Sequence, residues 1–181
     1  MRSYRRNSRQ WLFDVLRSVL EFLLYDERLA AAQKENTDTV AWITIPGTNI
    51  DAPVQQYGDN DYYLRRDEKG AEDYHGCIYA DYACRIDNGE KVSRNLIFYG
   101  HTFTDEDYTG GFEDLHKYRV FEFGQENPYI YVSLADEKLT YQIFGVWVCD
   151  ANADTDCIQA DPEHFSRFWT RLLPAVRSTT V

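Results

Sequence analysis

The residue best placed to do chemistry is His101, which follows an apolar run over residues 95–99 and a glycine, Gly100. A side chain just past the end of a strand lies at the rim of a sheet, where the backbone can open to a ligand. An imidazole there could act as a general acid or base, because its ordinary pKa is near ~6.5. A histidine that only makes a hydrogen bond at a strand end is the more common outcome. The other histidines fall in polar or helical stretches and are predicted to lie at the surface: His75, His116 and His164.

Four cysteines raise the question of a thiol nucleophile, which needs exposure and a depressed pKa. Cys77 and Cys149 lie inside apolar strand runs or at their ends, which predicts packing roles. Cys84 and Cys157 lie in polar loops and are better placed to react, although no neighbour marks either one. A disulfide between these two remains open in an oxidising compartment. The sequence has no CxxC pair, so a structural zinc site is not expected.

The acidic residues predict no metal site and argue against a nucleic-acid partner. The clusters at 105–107 and at Asp154 and Asp156 lack the ligand spacing of a calcium loop, so we interpret both as solvated loops. We expect no cofactor. The 181 residues carry 19 Lys and Arg against 30 Asp and Glu, a net charge of −11. Phosphates would repel such a chain, so no nucleic-acid partner is predicted.

The elements that must position these side chains are mostly short strands. The turn signal Pro46-Gly47-Thr48-Asn49 separates the first two, and a polar turn at 135–137 joins the last two. A short helix is predicted at 111–118, and Asp161-Pro162-Glu163 is a good helix start because Asp caps and Pro fits the first helical position. Six short strands with few helices favour a mainly antiparallel barrel or sandwich. The predicted strands are 40–45, 50–55, 76–81, 95–99, 128–134 and 138–148.

The N-terminal segment, residues 1–35, has a different character from the body, residues 36–181. Its first ten residues contain four arginines and no acid, and the apolar residues over 11–24 fall on one stripe of a helix. Only about fifteen residues form the apolar stretch, short of the ~20 that a spanning helix needs. Asp14, Arg17 and Glu21 interrupt it, which also disfavours a signal peptide. We predict a surface helix that docks on the body; the alternative is peripheral contact with an anionic membrane.

The body carries six short motifs: NTDTVAWI at 36–43, TNIDAPVQ at 48–55, DNDYYL at 59–64, GCIYAD at 76–81, NLIFYGH at 95–101 and GGFEDL at 110–115. In this order they resemble the class B sortases, Gram-positive cysteine transpeptidases that attach proteins to the cell wall. That family has TxIDYPVVQ, DNxYYL, GSIFLD, NxIIYGH and MFxxL at these places. Ala52 replaces the usual tyrosine, and Gly111 replaces the methionine. The resemblance runs from about Asn36 to the end.

The resemblance implies a mainly β fold, a sortase-like antiparallel β-barrel with an N-terminal helix and a helix near the C-terminus. It implies that His101 is the catalytic histidine and that Asn60, Leu64 and Ile158 contact a sorting peptide, Ile158 by the weakest match. Leu64 could equally be a core residue. The implied partners are an NPxT-like sorting signal of surface proteins and an amine of a peptidoglycan precursor or a pilin. The implied location is the cell surface, on the extracytoplasmic face of the membrane, although this chain shows no clear transmembrane anchor.

Two family motifs are missing from the sequence. The nucleophilic cysteine lies in a TLSTC strand end and the catalytic arginine on the next strand, and neither motif occurs here. We therefore expect a barrel domain, residues 36–181, that is incomplete at its C-terminus, lacks the last two strands and is inactive. One hypothesis is a transpeptidase whose C-terminal part is lost from this chain. The alternative is a degenerate, non-catalytic sortase-like protein that binds a peptide or another partner.

Overall fold

The computed structural model describes residues 27–86, 92–103, 111–135 and 137–146. The described part begins in an α-helix, α1, over residues 27–35, in which Leu29 is buried. The apolar stripe predicted at 11–24 and the helix predicted from Asp161 lie outside the described residues. Among the residues that the structure does describe, no helix has the length and apolar character needed to cross a membrane.

Within the described ranges, six strands form one sheet, which confirms the prediction of a mainly antiparallel β fold. The sheet order is β4-β3-β2-β1-β5-β6, and every neighbouring pair is antiparallel except β2 and β3. The strands are β1 (Thr39–Thr44), β2 (Asp51–Gln55), β3 (Tyr79–Ala80), β4 (Phe98–Tyr99), β5 (Tyr129–Ser133) and β6 (Lys138–Gln142).

In the part of the chain that the structure describes, three further short helices connect these strands. A 3₁₀ helix, Tyr62–Arg65, follows β2, and we call it the 62–65 turn. The helix predicted at 111–118 is a 3₁₀ helix, Glu113–Arg119, and a short α-helix, α2 (Phe121–Glu126), comes directly after it. Neither the 62–65 turn nor α2 was predicted, because helices this short show no clear apolar period.

The core lies on one face of the sheet because alternate residues of β1 point inward. Thr39, Ala41 and Ile43 are buried while their neighbours are half-buried, which is the period of two expected for a strand. A groove of about 510 Å³ is lined by Leu96 and Phe98 at the β4 edge of the sheet and by Tyr141 of β6 at the opposite edge. The sheet therefore curls. The buried core cluster comprises Ala41, Ile43, Ile45, Ile50, Val54, Ile78, Ala80, Cys84, Ile86, Tyr118, Val132 and Leu134.

The strand bounds differ from prediction mainly at β3, β4 and β6. The strands predicted at 76–81 and 95–99 are only two residues long in the structure. The strand β3 pairs with β2 at a single position, Gln55 with Tyr79, and with β4 at two positions. The predicted strand 138–148 ends at Gln142; residues 143–146 lie outside any strand, and 147–148 lie outside the described residues. The β1–β2 hairpin is close to prediction, with Gly47 in its turn at a φ of 78°.

Asp51 ties α1 to the β1–β2 hairpin. Its carboxylate accepts hydrogen bonds from Trp42 Nε1 at 2.8 Å, Thr44 Oγ1 at 2.8 Å and Arg28 Nη1 at 2.6 Å. Burial alone would raise the pKa of Asp51, but these three hydrogen bonds and the charge of Arg28 outweigh it and lower the pKa. The ionised carboxylate is therefore the form that stabilises this corner.

The Asp51 contacts predict an acid-sensitive contribution to stability. A lowered pKa in the folded state gives stabilisation that is complete above the unfolded value, ~3.9, and that disappears as pH falls through the folded value. Thermal melts of the parent and of Asp51→Asn should differ most near pH 7 and converge in strong acid, where Asp51 is protonated. A difference in melting temperature that stays constant down to pH 2 would contradict this explanation.

Candidate functional site

His101 is anchored through its backbone at the end of β4. The His101 carbonyl accepts a hydrogen bond from the Phe112 N–H at 2.8 Å. A Cβ on Gly100 would lie 2.9 Å from the Phe112 ring, so the close approach of these two segments requires glycine. The predicted position of His101, just past a strand end and after a glycine, is thus found in the structure.

The half-buried imidazole of His101 lies against the 62–65 turn. Its Nε2 is 3.0 Å from the backbone carbonyl oxygen of Leu64. The ring centroid of Phe103, two residues further along the chain, is 5.1 Å from that of His101. His101 therefore makes a hydrogen bond at a strand end, which is the more common outcome for such a histidine. That hydrogen bond and the Phe103 ring orient the imidazole beside the 62–65 turn.

Asn60 is joined to the strand that carries His101 through a buried carboxylate. Asn60 Nδ2 donates to Asp81 Oδ2 at 2.9 Å, and Asn60 Oδ1 accepts from the Tyr82 N–H at 2.9 Å. Tyr99 of β4 donates its hydroxyl to the same Asp81 Oδ2 at 2.7 Å. Burial, and then the neighbouring Asp81, raise the pKa of Tyr99, so its hydroxyl keeps the proton that it donates. We call Asn60, Asp81 and Tyr99 the Asp81 network.

Leu64 contributes in two ways. Its half-buried side chain packs on a small cluster formed by Tyr63, Cys77 and Tyr79, which supports the interpretation of Leu64 as a packing residue. Its backbone carbonyl faces His101. The structure therefore brings the 62–65 turn to His101 and links Asn60 to β4. The fourth predicted site residue, Ile158, lies outside the described residues.

The two cysteines that the structure describes are buried, which disfavours reaction of their thiols. Cys77 and Cys84 are free thiols, 6% and 4% exposed. Burial raises the pKa of both, and nearby carboxylates add to the effect on Cys77. The packing role predicted for Cys77 is found. The expectation that Cys84 is better placed to react is wrong, because its Sγ lies inside, 3.5 Å from the Asn95 carbonyl oxygen and 3.3 Å from the Ile97 nitrogen.

An aromatic group beside His101 escaped prediction. Phe103 contacts the rings of His75 and Tyr74, with centroid separations of 4.8 and 5.5 Å. His75, predicted to lie at the surface, is half-buried, with Nδ1 3.2 Å from Asp73 Oδ1. These contacts join residues nearly thirty positions apart, and no spacing in the sequence signals them.

His116 is exposed as predicted. Within the described ranges, no group of three His, Cys, Asp or Glu residues is placed to hold a metal ion.

Comparisons with known proteins point to a single family. No protein-family model matches the chain. Sortase B of Listeria monocytogenes is 35% identical over 121 residues, which are 67% of this chain and 47% of that protein. The chain thus spans about half the length of this curated relative. The solved structure of sortase B from Listeria monocytogenes is 32% identical and superposes with a TM-score of 0.65, covering 77% of each chain. A Staphylococcus aureus sortase B–substrate complex, 21% identical, shares the fold with a TM-score of 0.69 over 93% of this chain and 79% of that one.

Proposed function

Because the chain belongs to the class B sortase family, we propose that it binds the C-terminal sorting signal of a surface protein beside His101. In the complete reaction, a cysteine thiolate attacks the scissile carbonyl, the C–N bond breaks, and an acyl-enzyme forms. An imidazolium such as His101 gives its proton to the departing amine. An amine of a peptidoglycan precursor or a pilus subunit then attacks the acyl-enzyme, and the thiol leaves.

The observation that supports this proposal most strongly is the arrangement around His101. The Leu64 carbonyl, 3.0 Å from Nε2, brings the 62–65 turn to the imidazole, and the Asp81 network ties Asn60 to β4. We propose Asn60 and Leu64 as peptide contacts and His101 as the acid and base. Ile158 is proposed as a third contact on the motif match alone. A sortase B of the same fold has been solved as a substrate complex, and we extend substrate binding to this chain.

We further propose that these 181 residues bind the peptide without cleaving it. The sequence contains no TLSTC-like strand end. Cys77 and Cys84 cannot substitute for the missing nucleophile, because each is buried and burial raises its pKa. Cys149 and Cys157 lie outside the described residues, and by sequence neither matches the position of the family's nucleophile. Acid–base help by a histidine is worth roughly 10²–10⁴-fold, but without a nucleophile there is no covalent step to assist.

Two hypotheses for the biological role follow from the missing motif. In the first, the barrel belongs to a transpeptidase whose nucleophile and arginine lie on residues absent from this sequence. In the second, the protein is a degenerate sortase that holds a sorting peptide or another partner. Under both hypotheses we propose a location at the cell surface, on the extracytoplasmic face of the membrane. The apolar stripe of the N-terminal segment would dock on the body, with peripheral membrane contact as the alternative. The burial of Cys77 and Cys84 agrees with both hypotheses, because neither uses these thiols as the nucleophile.

A paired binding and cleavage assay tests the proposal. We expect a fluorescent NPxT-type peptide to bind, with a scrambled peptide as the control, and chromatography to show no product and intact-mass measurement to show no acyl adduct. Binding of the scrambled peptide with equal affinity would refute the binding site. Turnover that depends on His101 would refute the prediction of inactivity.

A further inference from the structure

We infer that the backbone carbonyl of Leu64 sets the tautomer of His101, so that Nε2 carries the proton of the neutral ring and Nδ1 keeps the lone pair that can accept a proton. The inference deepens the proposed function and rests on it. A carbonyl oxygen has lone pairs and no hydrogen, so it can only accept. The 3.0 Å contact is therefore a hydrogen bond only when Nε2 is the donor.

The other imidazole nitrogen is left with a lone pair. Among the residues that the structure describes, Nδ1 of His101 has no hydrogen-bond partner. The Phe103 ring at 5.1 Å and the Phe112 N–H on the His101 carbonyl limit rotation of the side chain and of the backbone that carries it. In histidines generally, the hydrogen bond made by one ring nitrogen decides which nitrogen carries the proton. In His101 the nitrogen left to accept a proton is Nδ1.

The Leu64 carbonyl is itself fixed by the chain on either side of it. The Leu64 N–H donates to the Asp61 carbonyl at 3.2 Å, and Asp59 Oδ1 accepts from the Asp61 and Tyr62 N–H groups at 2.9 and 2.8 Å. One residue before Leu64, the Tyr63 carbonyl accepts from the Cys77 N–H at 3.4 Å. The carbonyl that meets His101 thus belongs to a braced turn.

Gly76 is the residue that makes room for this carbonyl. Its φ is +65°, and a Cβ there would lie 2.6 Å from the Leu64 carbonyl oxygen and 2.8 Å from that of Tyr63. Both atoms are backbone, so the contact cannot be relieved by turning a side chain. An alanine at this position must displace the Leu64 carbonyl. We therefore assign Gly76 as a positioning residue that acts on His101 through Leu64.

Gly70 provides a matched control. Its φ is +83°, so an alanine there meets the same left-handed backbone strain, but the nearest atom to its Cβ would be the Tyr62 hydroxyl at 3.7 Å. Gly70→Ala and Gly76→Ala therefore share the conformational penalty. Only Gly76→Ala adds the clash with the carbonyl that faces His101.

The test is ¹⁵N NMR of the imidazole nitrogens in the full chain, at a pH where the ring is neutral. We expect Nε2–H to predominate in the parent and in Gly70→Ala. Because a hydrogen bond of ordinary strength biases a two-state equilibrium by roughly fivefold, Gly76→Ala should lower the ratio of Nε2–H to Nδ1–H by about that factor. Predominant Nδ1–H in the parent, or an unchanged ratio in folded Gly76→Ala, would overturn the inference.

If Gly76→Ala does not fold, a pair of His101 variants tests the hydrogen bond to the Leu64 carbonyl instead. The amide nitrogen of His101→Gln reaches the position of Nε2, whereas that of His101→Asn reaches only that of Nδ1. His101→Gln should therefore melt several degrees above His101→Asn, and equal melting temperatures would contradict the hydrogen bond. None of these measurements uses a peptide. A chain with the expected tautomer that binds no sorting peptide would refute the proposed function and leave the positioning role intact.

Discussion

Asp81→Ala is expected to lower the free energy of unfolding by about 3–5 kcal/mol, because it strips a buried acceptor from three donors. The side chain of Asp81 is 6% exposed. It accepts from Asn60 Nδ2 and the Tyr99 hydroxyl on Oδ2, and from the Ala83 N–H at 2.8 Å on Oδ1. A loss of that size should lower the melting temperature by roughly 10 °C in a chain of this length. Calorimetry or circular dichroism measures it.

Two further variants separate the lost hydrogen bonds from the lost charge. Asp81→Asn keeps one acceptor oxygen, so about half of the stability loss is expected. Asp61→Ala removes the exposed carboxylate of the residue next to Asn60 and should change stability by less than ~0.5 kcal/mol. Asp81→Ala should also weaken peptide binding, because Asn60 and Tyr99 lose their common anchor. Equal melting temperatures for Asp81→Ala and Asp61→Ala would contradict the role assigned to the Asp81 network.

Native thiol labelling should show a second large effect. We expect Cys77 and Cys84 to react with iodoacetamide at least ~100-fold more slowly in the folded chain than in denaturant, since both thiols are buried and burial raises their pKa. Peptide-level mass spectrometry distinguishes them from the other two cysteines, and the denatured chain is the control. Fast labelling of either Cys77 or Cys84 in the native state would supply a candidate nucleophile and undermine the prediction that this chain is inactive.

Local patterns in the sequence were enough to predict the parts of the fold that depend on neighbours. The β1–β2 hairpin follows from alternating apolar residues on either side of a turn that contains Gly47, and its position is close to the one predicted. His101 was found from an apolar strand ending in Gly100. The close contact of Gly100 with the Phe112 ring now gives that glycine a physical reason.

The parts that could not be predicted depend on contacts between distant segments. Cys84 lies in a polar stretch of sequence, yet the Asn95 carbonyl and the Ile97 nitrogen enclose its thiol from another loop. The contact between the Leu64 carbonyl and His101 could not be predicted, because backbone atoms carry no sequence signal and the 62–65 turn is too short to show a period. His75 is half-buried, and one of the rings that pack on it is that of Phe103, nearly thirty positions along the chain. Composition reports what a segment contains and not what covers it.

The central claim is that an NPxT-type sorting peptide binds beside His101 and is not cleaved by these 181 residues. An NMR titration of the isotope-labelled chain with that peptide tests it most directly. We predict saturable shifts concentrated at Asn60, Leu64 and His101, with the peptide recovered intact. Shifts confined to another face, or none at millimolar peptide, would contradict the binding site, and release of a cleaved peptide would contradict the inactivity.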